Sequence, residues 1–291
     1  MNPLLAEKLA HRALAEDAGR GDVTTELVVE EWQTARGEIV AKEAGVVAGL
    51  PVAALVFRLL DSRLTFTFLV GEGERVEVGR RVAAVEGPAR PILTGERTAL
   101  NFIQHLSGIA TLAARGAQIL AGSGCRLLDT RKTLPGLRYL EKYAVRLGGG
   151  ANHRFALDDM ILLKDNHLAL AGGITEALRR VKEKGPRHLK VQVEVGDLAE
   201  LEEALASGAD FILLDNMDEE TLGQAVRRVK GKVPLEASGG MTMDNLAKVA
   251  ATGVDYVSMG QLTHSAKALD FSLRIHPLAG KGSANPKSGP V

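Results

Sequence analysis

The sequence predicts an α/β protein in two parts: an N-terminal α/β sandwich, then a sheet or barrel of parallel strands covered by helices. Three observations carry this. From about residue 118 short apolar runs alternate with helical segments, the pattern of buried parallel strands. Before that point, between Gln33 and Val70, strand patterns gather around one short helix, which suits an antiparallel or mixed sheet. The chain has 291 residues, enough for one large α/β barrel or two domains.

Taken in order, Leu4, Leu5, Leu9 and Leu14 recur at helical spacing and predict a helix over about 3–17, ended by Gly19 and Gly21. Asp22, Thr24 and Thr25 are turn-capping residues. Strands follow at 35–41, 45–49 and 64–68, interrupted by a helix over 51–60 with Pro51 at its start. Short β segments and turns alternate from Gly71 to Gly87, and a helix begins at Pro91. The later strands are expected at 126–128, 160–163, 191–195, 211–214, 233–235 and 256–259. Helices at 135–147, 167–184, 197–207, 219–230 and 242–252 separate them. Ala206-Ser207-Gly208-Ala209-Asp210 and Ala251-Thr252-Gly253-Val254-Asp255 echo one another, each leading a helix into a strand, as in a repeating barrel. The tail after Pro277, rich in Gly, Ser, Pro and Lys, is expected to end in disorder.

Lys+Arg 36 balances Asp+Glu 36, so no net field draws the chain to nucleic acid or a membrane. No stretch is long and apolar enough to span a bilayer, and the N-terminus lacks the core of a signal peptide. Cys125 is the only cysteine, which excludes an intrachain disulfide and fits a reducing cytoplasm.

Against this neutral background, Leu127 to His167 gathers cations. One apolar run delivers Asp129, Arg131 and Lys132, and a second delivers Lys164, Asp165, Asn166 and His167. Between them His153-Arg154 follows the run Gly148-Gly149-Gly150. Buried cations are costly unless they meet an anion, so a small, multiply charged anion is the expected ligand. In parallel α/β folds ligands lie at the C-terminal strand ends, which here carry Asp129, Arg131, Lys132, Lys164, Glu194, Asp215, Glu236, Ser238 and Gly260. Capping explains any one of them better than catalysis does; the set favours an active site.

Ser238-Gly239-Gly240, with a helix expected after it, is a candidate phosphate cradle, equally readable as a tight turn. Glu194 and Asp215 suit Mg²⁺, directly or through water, or sugar hydroxyls, rather than zinc. A glycosidase acid pair is the competing reading, at odds with the surrounding cations. Lys164 as a Schiff-base amine is opposed by the same cations. His153 alone reads as structural as readily as an acid or carboxylate donor. Arg138, Lys142 and Arg146, four apart, read evenly as a solvated helix face or as part of the cluster.

The strings Thr133-Leu134-Pro135-Gly136-Leu137-Arg138, Glu141-Lys142-Tyr143-Ala144-Val145, Gly148 to Arg154 and Lys164-Asp165-Asn166-His167 resemble the quinolinate phosphoribosyltransferases. Gly21 to Thr25, Glu96 to Asn101, Ser238-Gly239-Gly240 and Thr263-His264-Ser265 extend the likeness over nearly the whole chain. The resemblance implies an N-terminal α/β sandwich (1–107), an incomplete, seven-stranded β/α barrel (108–270) and a C-terminal extension (271–291). It implies a cytoplasmic homodimer, or a larger assembly built on one, with the active site shared between subunits. The implied reaction joins quinolinate and phosphoribosyl pyrophosphate, with Mg²⁺, to give nicotinate mononucleotide, CO₂ and pyrophosphate in de novo NAD synthesis.

The resemblance places Arg131, His153, Arg154 and Lys164 around the two carboxylates, with Arg97 entering from the partner. Lys132, Lys164 and His264 would face the diphosphate. Glu194 and Asp215 would hold ribose hydroxyls and Mg²⁺, and Ser238, Gly239 and Gly260 the 5-phosphate. Lys132, Lys164, Glu194 and Asp215 are the expected catalytic set. Two other functions compete: phosphoribosyl transfer to a monocarboxylate such as nicotinate, or a role in metal-linked transport, on the same scaffold; and non-catalytic sensing of a phosphorylated metabolite. The full set Arg97, Arg131, His153 and Arg154 argues against the first, and the retained carboxylates and lysines against the second.

Overall fold

The computed structural model describes residues 1–278. It divides into two compact units, Met1–Thr111 together with the segment from Lys267, and Leu112–Ala266.

In the first unit, α1 (Pro3–Ala18) starts at Asn2, whose side chain accepts the Leu4 N–H at 3.0 Å. Its buried stripe is Ala6, Ala10 and Leu14, not the leucine face expected, and Leu4 and Leu5 are exposed. Small residues on the inner stripe allow close packing on α3. The short α2 (Val23–Val28) is capped by Asp22, which accepts from Thr25 N at 3.0 Å. Then come β1 (Thr34–Ala41), β2 (Gly45–Val46), α3 (Leu50–Leu60), β3 (Thr65–Phe68), β4 (Arg75–Val76) and β5 (Arg81–Pro88). Glu72 caps α3 from a loop, accepting the N–H groups of Gly49 and Leu50 at 3.1 and 2.8 Å. With β12 (Phe271–Pro277) the sheet order is β12-β1-β5-β3, all antiparallel, with β2 and β4 as a separate pair. Phe57 of α3 stacks on Phe66 of β3, centroids 5.8 Å apart, so helix and sheet share one core. The segment expected as a separate extension instead supplies an edge strand, β12 (Phe271–Pro277), paired with β1. Its alternation of apolar and polar residues is ordinary for an edge. The expected disordered end of the tail lies outside the described residues.

The long helix α4 (Ala89–Ile119) carries the chain from the first unit into the second. There β6 (Arg126–Leu128), α5 (Arg138–Leu147), β7 (Ile161–Leu163), α6 (Asp165–Ala171), α7 (Ile174–Lys184), β8 (Val191–Val195) and α8 (Leu198–Ala206) follow. The series ends with β9 (Phe211–Asp215), α9 (Glu219–Val229), β10 (Leu235–Ser238), α10 (Leu246–Ala251), β11 (Tyr256–Ser258) and α11 (Gln261–His264). Six parallel strands run in the order β6-β11-β10-β9-β8-β7. The seventh position of the expected barrel is held by a single parallel bridge from Ala151 to Leu128 of β6.

The helix expected over 167–184 is two helices. Gly172 and Gly173 take φ of 95° and 116°, which side chains avoid, and the chain turns there. Strand β10 starts two residues later than expected, after Pro234, so Glu236 lies within the strand rather than at its end. The sequence echo is one device used twice. Asp210 accepts the N–H of Val191, first residue of β8, at 2.9 Å, and Asp255 that of Leu235, first residue of β10, at 2.8 Å. Each aspartate closes the bottom of the strand beside its own. Among the described residues no helix is long and apolar enough to cross a membrane.

Candidate active site

Parallel strands alternate in and out with a period of two. The inward positions of β8, β9 and β10 are therefore Gln192/Glu194, Leu213/Asp215 and Glu236/Ser238, and all but Gln192 line one cavity of about 640 Å³. Arg131 and Lys132, just past β6, join them there, with His153, Arg154, Lys164 and Gly239. Nine of the expected site residues thus meet. Gly260 and His264 lie beside the cavity: a Cβ on Gly260 would come within 2.9 Å of the Lys132 stem and 3.1 Å of the His264 ring. Glycine there lets the Lys132 and His264 side chains approach. Arg97 is an exposed residue of α4 in the other unit.

Arg131 and Arg154 are the charges most in want of a ligand. Among the described residues neither guanidinium is in an ion pair, and Nε of Arg131 is buried with no hydrogen-bond partner. Arg154 donates to the Met160 carbonyl at 3.1 Å. Burial, and then the charge of Arg131, hold its pKa below the usual arginine value, offset in part by Asp159. Two guanidinium groups that repel each other in a cavity form a receptor for more than one negative charge.

Lys164 is paired with Glu194, and Asp215 accepts from the side chain of Asn216 at 2.7 Å. Among the described residues no group of three His, Cys, Asp or Glu side chains could enclose a metal ion. Two carboxylates on neighbouring strands are nonetheless a donor set that suits Mg²⁺, which uses one or two protein carboxylates and takes water and substrate oxygens besides.

The loop after β10 differs from the expectation in one respect. Helix α10 begins only at Leu246, so no helix end meets the Ser238-Gly239-Gly240 turn. Gly239 and Gly240 instead take φ of +90° and +61°, and a Cβ on Gly239 would fall 2.2 Å from Asn216 Oδ1. With no helix end at this turn, the donors it can offer are the loop amides.

Beneath the cavity lies a buried polar joint. Asp129 is fully buried and pairs with Lys142, which is 3% exposed. Asp129 also accepts from His153 N at 2.9 Å and Asn152 Nδ2 at 2.5 Å, while Lys142 Nζ donates to the His153 carbonyl at 2.9 Å. Burial pushes the Asp129 pKa up and the Lys142 pKa down, and their mutual attraction opposes both shifts. Lys142 is therefore neither solvated nor in the cavity lining, and Asp129 is a support rather than a ligand. Arg138 is a support too, donating to Thr133 Oγ1 at 3.0 Å and the Phe155 carbonyl at 3.3 Å. The His153 ring is held on both sides: Nδ1 accepts the Arg154 N–H at 2.7 Å, and Nε2 lies 3.1 Å from Gln192 Oε1 and 3.3 Å from Glu236 Oε2. Gln192, Asn216, Thr130 and Ser258 are polar groups in or near the site that the sequence reading missed; for Gln192, alternation within Val191-Gln192-Val193-Glu194-Val195 was the available signal.

The fold and the cavity define a β/α-barrel protein with a cation-lined cavity at the ends of its strands. The family models for quinolinate phosphoribosyl transferase match residues 22–107 (N-terminal domain) and 109–274 (C-terminal domain). The chain belongs to the quinolinate phosphoribosyl transferase family. It is 46% identical over 266 residues to a probable nicotinate-nucleotide pyrophosphorylase (carboxylating) of Synechocystis sp., covering 90% of each chain. The counterpart in Bacillus subtilis is 42% identical over 275 residues, covering 94% of this chain and 95% of the other. The structure of NadC from Streptococcus pyogenes is similar with a TM-score of 0.93 at 43% identity, covering 96% of this chain and 99% of that one.

The buried joint is open to a direct test. Asp129→Ala leaves the Lys142 ammonium buried and unpaired, which should cost about 3–5 kcal/mol of stability. Chemical denaturation measures it, and a loss under about 1 kcal/mol would mean that Lys142 reaches water.

Proposed function

We propose that this chain transfers phosphoribose from phosphoribosyl pyrophosphate to quinolinate with decarboxylation, yielding nicotinate mononucleotide, CO₂ and pyrophosphate for NAD synthesis. The observation that carries the reading is the cavity with Arg131 and Arg154 unpaired at one side and the Ser238-Gly239-Gly240 turn at another. A dianionic pyridine and a polyphosphate together supply the negative charge that a neutral protein concentrates cations to meet.

In this reading Arg131 and Arg154 orient the dicarboxylate, and His153, both of whose ring nitrogens are engaged within the protein, supports Arg154. The amides of Gly239 and Gly260 and the Ser238 hydroxyl take the 5-phosphate. Lys132, Lys164 and His264 face the diphosphate, where cations stabilise the charge that develops as the anomeric C–O bond breaks. Glu194 and Asp215 hold ribose hydroxyls and would hold Mg²⁺, which when bound offsets leaving-group charge. Attack by the ring nitrogen makes a pyridinium, whose positive charge stabilises the electron pair left on the adjacent ring carbon as CO₂ departs. That carbon then takes a proton from solvent to give nicotinate mononucleotide. The substrate thus stabilises its own decarboxylation, and for that step the protein has only to bind and orient it.

The assay is quinolinate-dependent release of CO₂ and pyrophosphate, with nicotinate as control. Arg154→Ala should weaken quinolinate binding by about 2–5 kcal/mol and phosphoribosyl pyrophosphate binding far less. Equal losses for both substrates would move Arg154 out of the carboxylate clamp. Chelation should abolish turnover and added Mg²⁺ restore it; full activity in a metal-free preparation would remove Glu194 and Asp215 from a metal role.

The assembly we infer is a homodimer in which Arg97 completes the partner's site. Exposed Val23, Leu27, Val28 and Trp32 in the first unit support a partner surface. Arg97→Ala and Lys164→Ala, each nearly inactive, should regain activity when unfolded and reassembled together, because some mixed dimers then hold one intact site. Mixed dimers confirmed by mass but still inactive would return Arg97 to its own subunit.

A further inference from the structure

Glu236, within strand β10, is a carboxylate 4% exposed that has no Lys or Arg partner among the described residues. Buried carboxylates are costly, and an apolar residue of the same size would serve the barrel core better. Among the described residues its Oε1 makes no hydrogen bond. Burial raises its pKa, but His153, the nearby Ser258 hydroxyl and Gln192 together hold it below the usual carboxylate value. Its Oε2 accepts from Gln192 Nε2 at 2.8 Å and lies 3.3 Å from His153 Nε2.

These contacts fix the chemistry of His153. Gln192 must turn its NH₂ toward Glu236, since its oxygen there would meet another oxygen; its Oε1 then faces the imidazole, 3.1 Å away. Both atoms facing Nε2 are therefore acceptors, and Nε2 carries the proton. Nδ1 accepts the Arg154 N–H at 2.7 Å, so it carries none. The ring is a bridge from a carboxylate on β10 to the main chain of Arg154. Asp129 and Lys142 already pin the His153 main chain, so the ring has little freedom left.

We propose that Glu236 is a positioning residue: by fixing the Nε2–H tautomer of His153 it holds the Arg154 main chain and so aims the Arg154 guanidinium at the ligand. This rests on the proposed function only in taking the pyridine dicarboxylate as that ligand. Although Glu236 also lines the cavity, its role in this proposal is exercised through His153 and not on the reacting atoms. Its effect is confined to the carboxylate clamp and leaves the diphosphate side alone.

The test compares Glu236→Leu and Glu236→Gln with the wild-type protein. Histidine labelled with ¹⁵N, assigned by loss of the signal in His153→Gln, should report the Nε2–H tautomer in the wild-type protein and its loss in Glu236→Leu. Glu236→Gln keeps one acceptor oxygen and should keep the tautomer. By calorimetry, Glu236→Leu should bind quinolinate at least tenfold more weakly and phosphoribosyl pyrophosphate within twofold of wild type, with Glu236→Gln between. An Nδ1–H or doubly protonated His153 in the wild-type protein overturns the proposal. So does a folded Glu236→Leu with wild-type quinolinate affinity, or one that loses both substrates equally. Should the wild-type protein not bind quinolinate, the proposed function fails, while the tautomer comparison still decides the role of Glu236.

Discussion

The contact on which the rest of the site depends is the buried pair of Asp129 and Lys142. It joins the residue that follows β6, the middle of α5 and the main chain at His153. Two ions out of water stay charged only if every remaining polar site is filled, and here Asn152 and the His153 amide do the filling. The geometry that satisfies them also fixes where the chain passes from the glycine run to Arg154. An apolar cluster at the same point would hold the barrel shut but would not set the direction of two successive side chains.

Much of this was legible from the residues, for a physical reason. Strand ends on the ligand side of a parallel sheet are where apolar runs stop, and a charged residue there stands out, so Lys164, Glu194 and Asp215 could be read directly. Lys142 could not. It is spaced four from Arg138 and Arg146 on a helix of strong amphipathic pattern, and nothing in that pattern says that the polar face of α5 meets a buried aspartate. Glu236 was seen but misplaced, because Val233-Pro234 reads as the start of a strand that in fact begins after the proline. The leucines of α1 misled in the opposite way, since the alanine stripe packs inward and hydrophobicity alone does not tell which face is crowded.

The period-two alternation also organises the chemistry in tiers. Each polar side chain at the mouth of a strand has another inward residue two places earlier beneath it. Under Glu194 that is Gln192, under Ser238 it is Glu236, and under Asp215 it is Leu213. The lower tier of β8 and β10 is polar where His153 needs partners, and apolar in β9, where it needs none. A second cavity, of about 310 Å³, lies on the other side of this tier and shares His153, Arg154 and Glu236 with the first. The joint is thus a thin partition, stiffened by hydrogen bonds rather than by bulk.

The incomplete barrel follows from the same requirement. A regular strand turns successive side chains to opposite faces, so a seventh strand through Ala151 to Arg154 could send only one of His153 and Arg154 inward. Both line the cavity, which is possible because pairing there stops after the single bridge at Ala151. The hydrogen bonds that a strand would have supplied come instead from Asp129, Lys142 and the His153 ring itself. The barrel gives up one strand's pairing and gains two adjacent side chains on the same side, one a support and the other a cation lining the cavity.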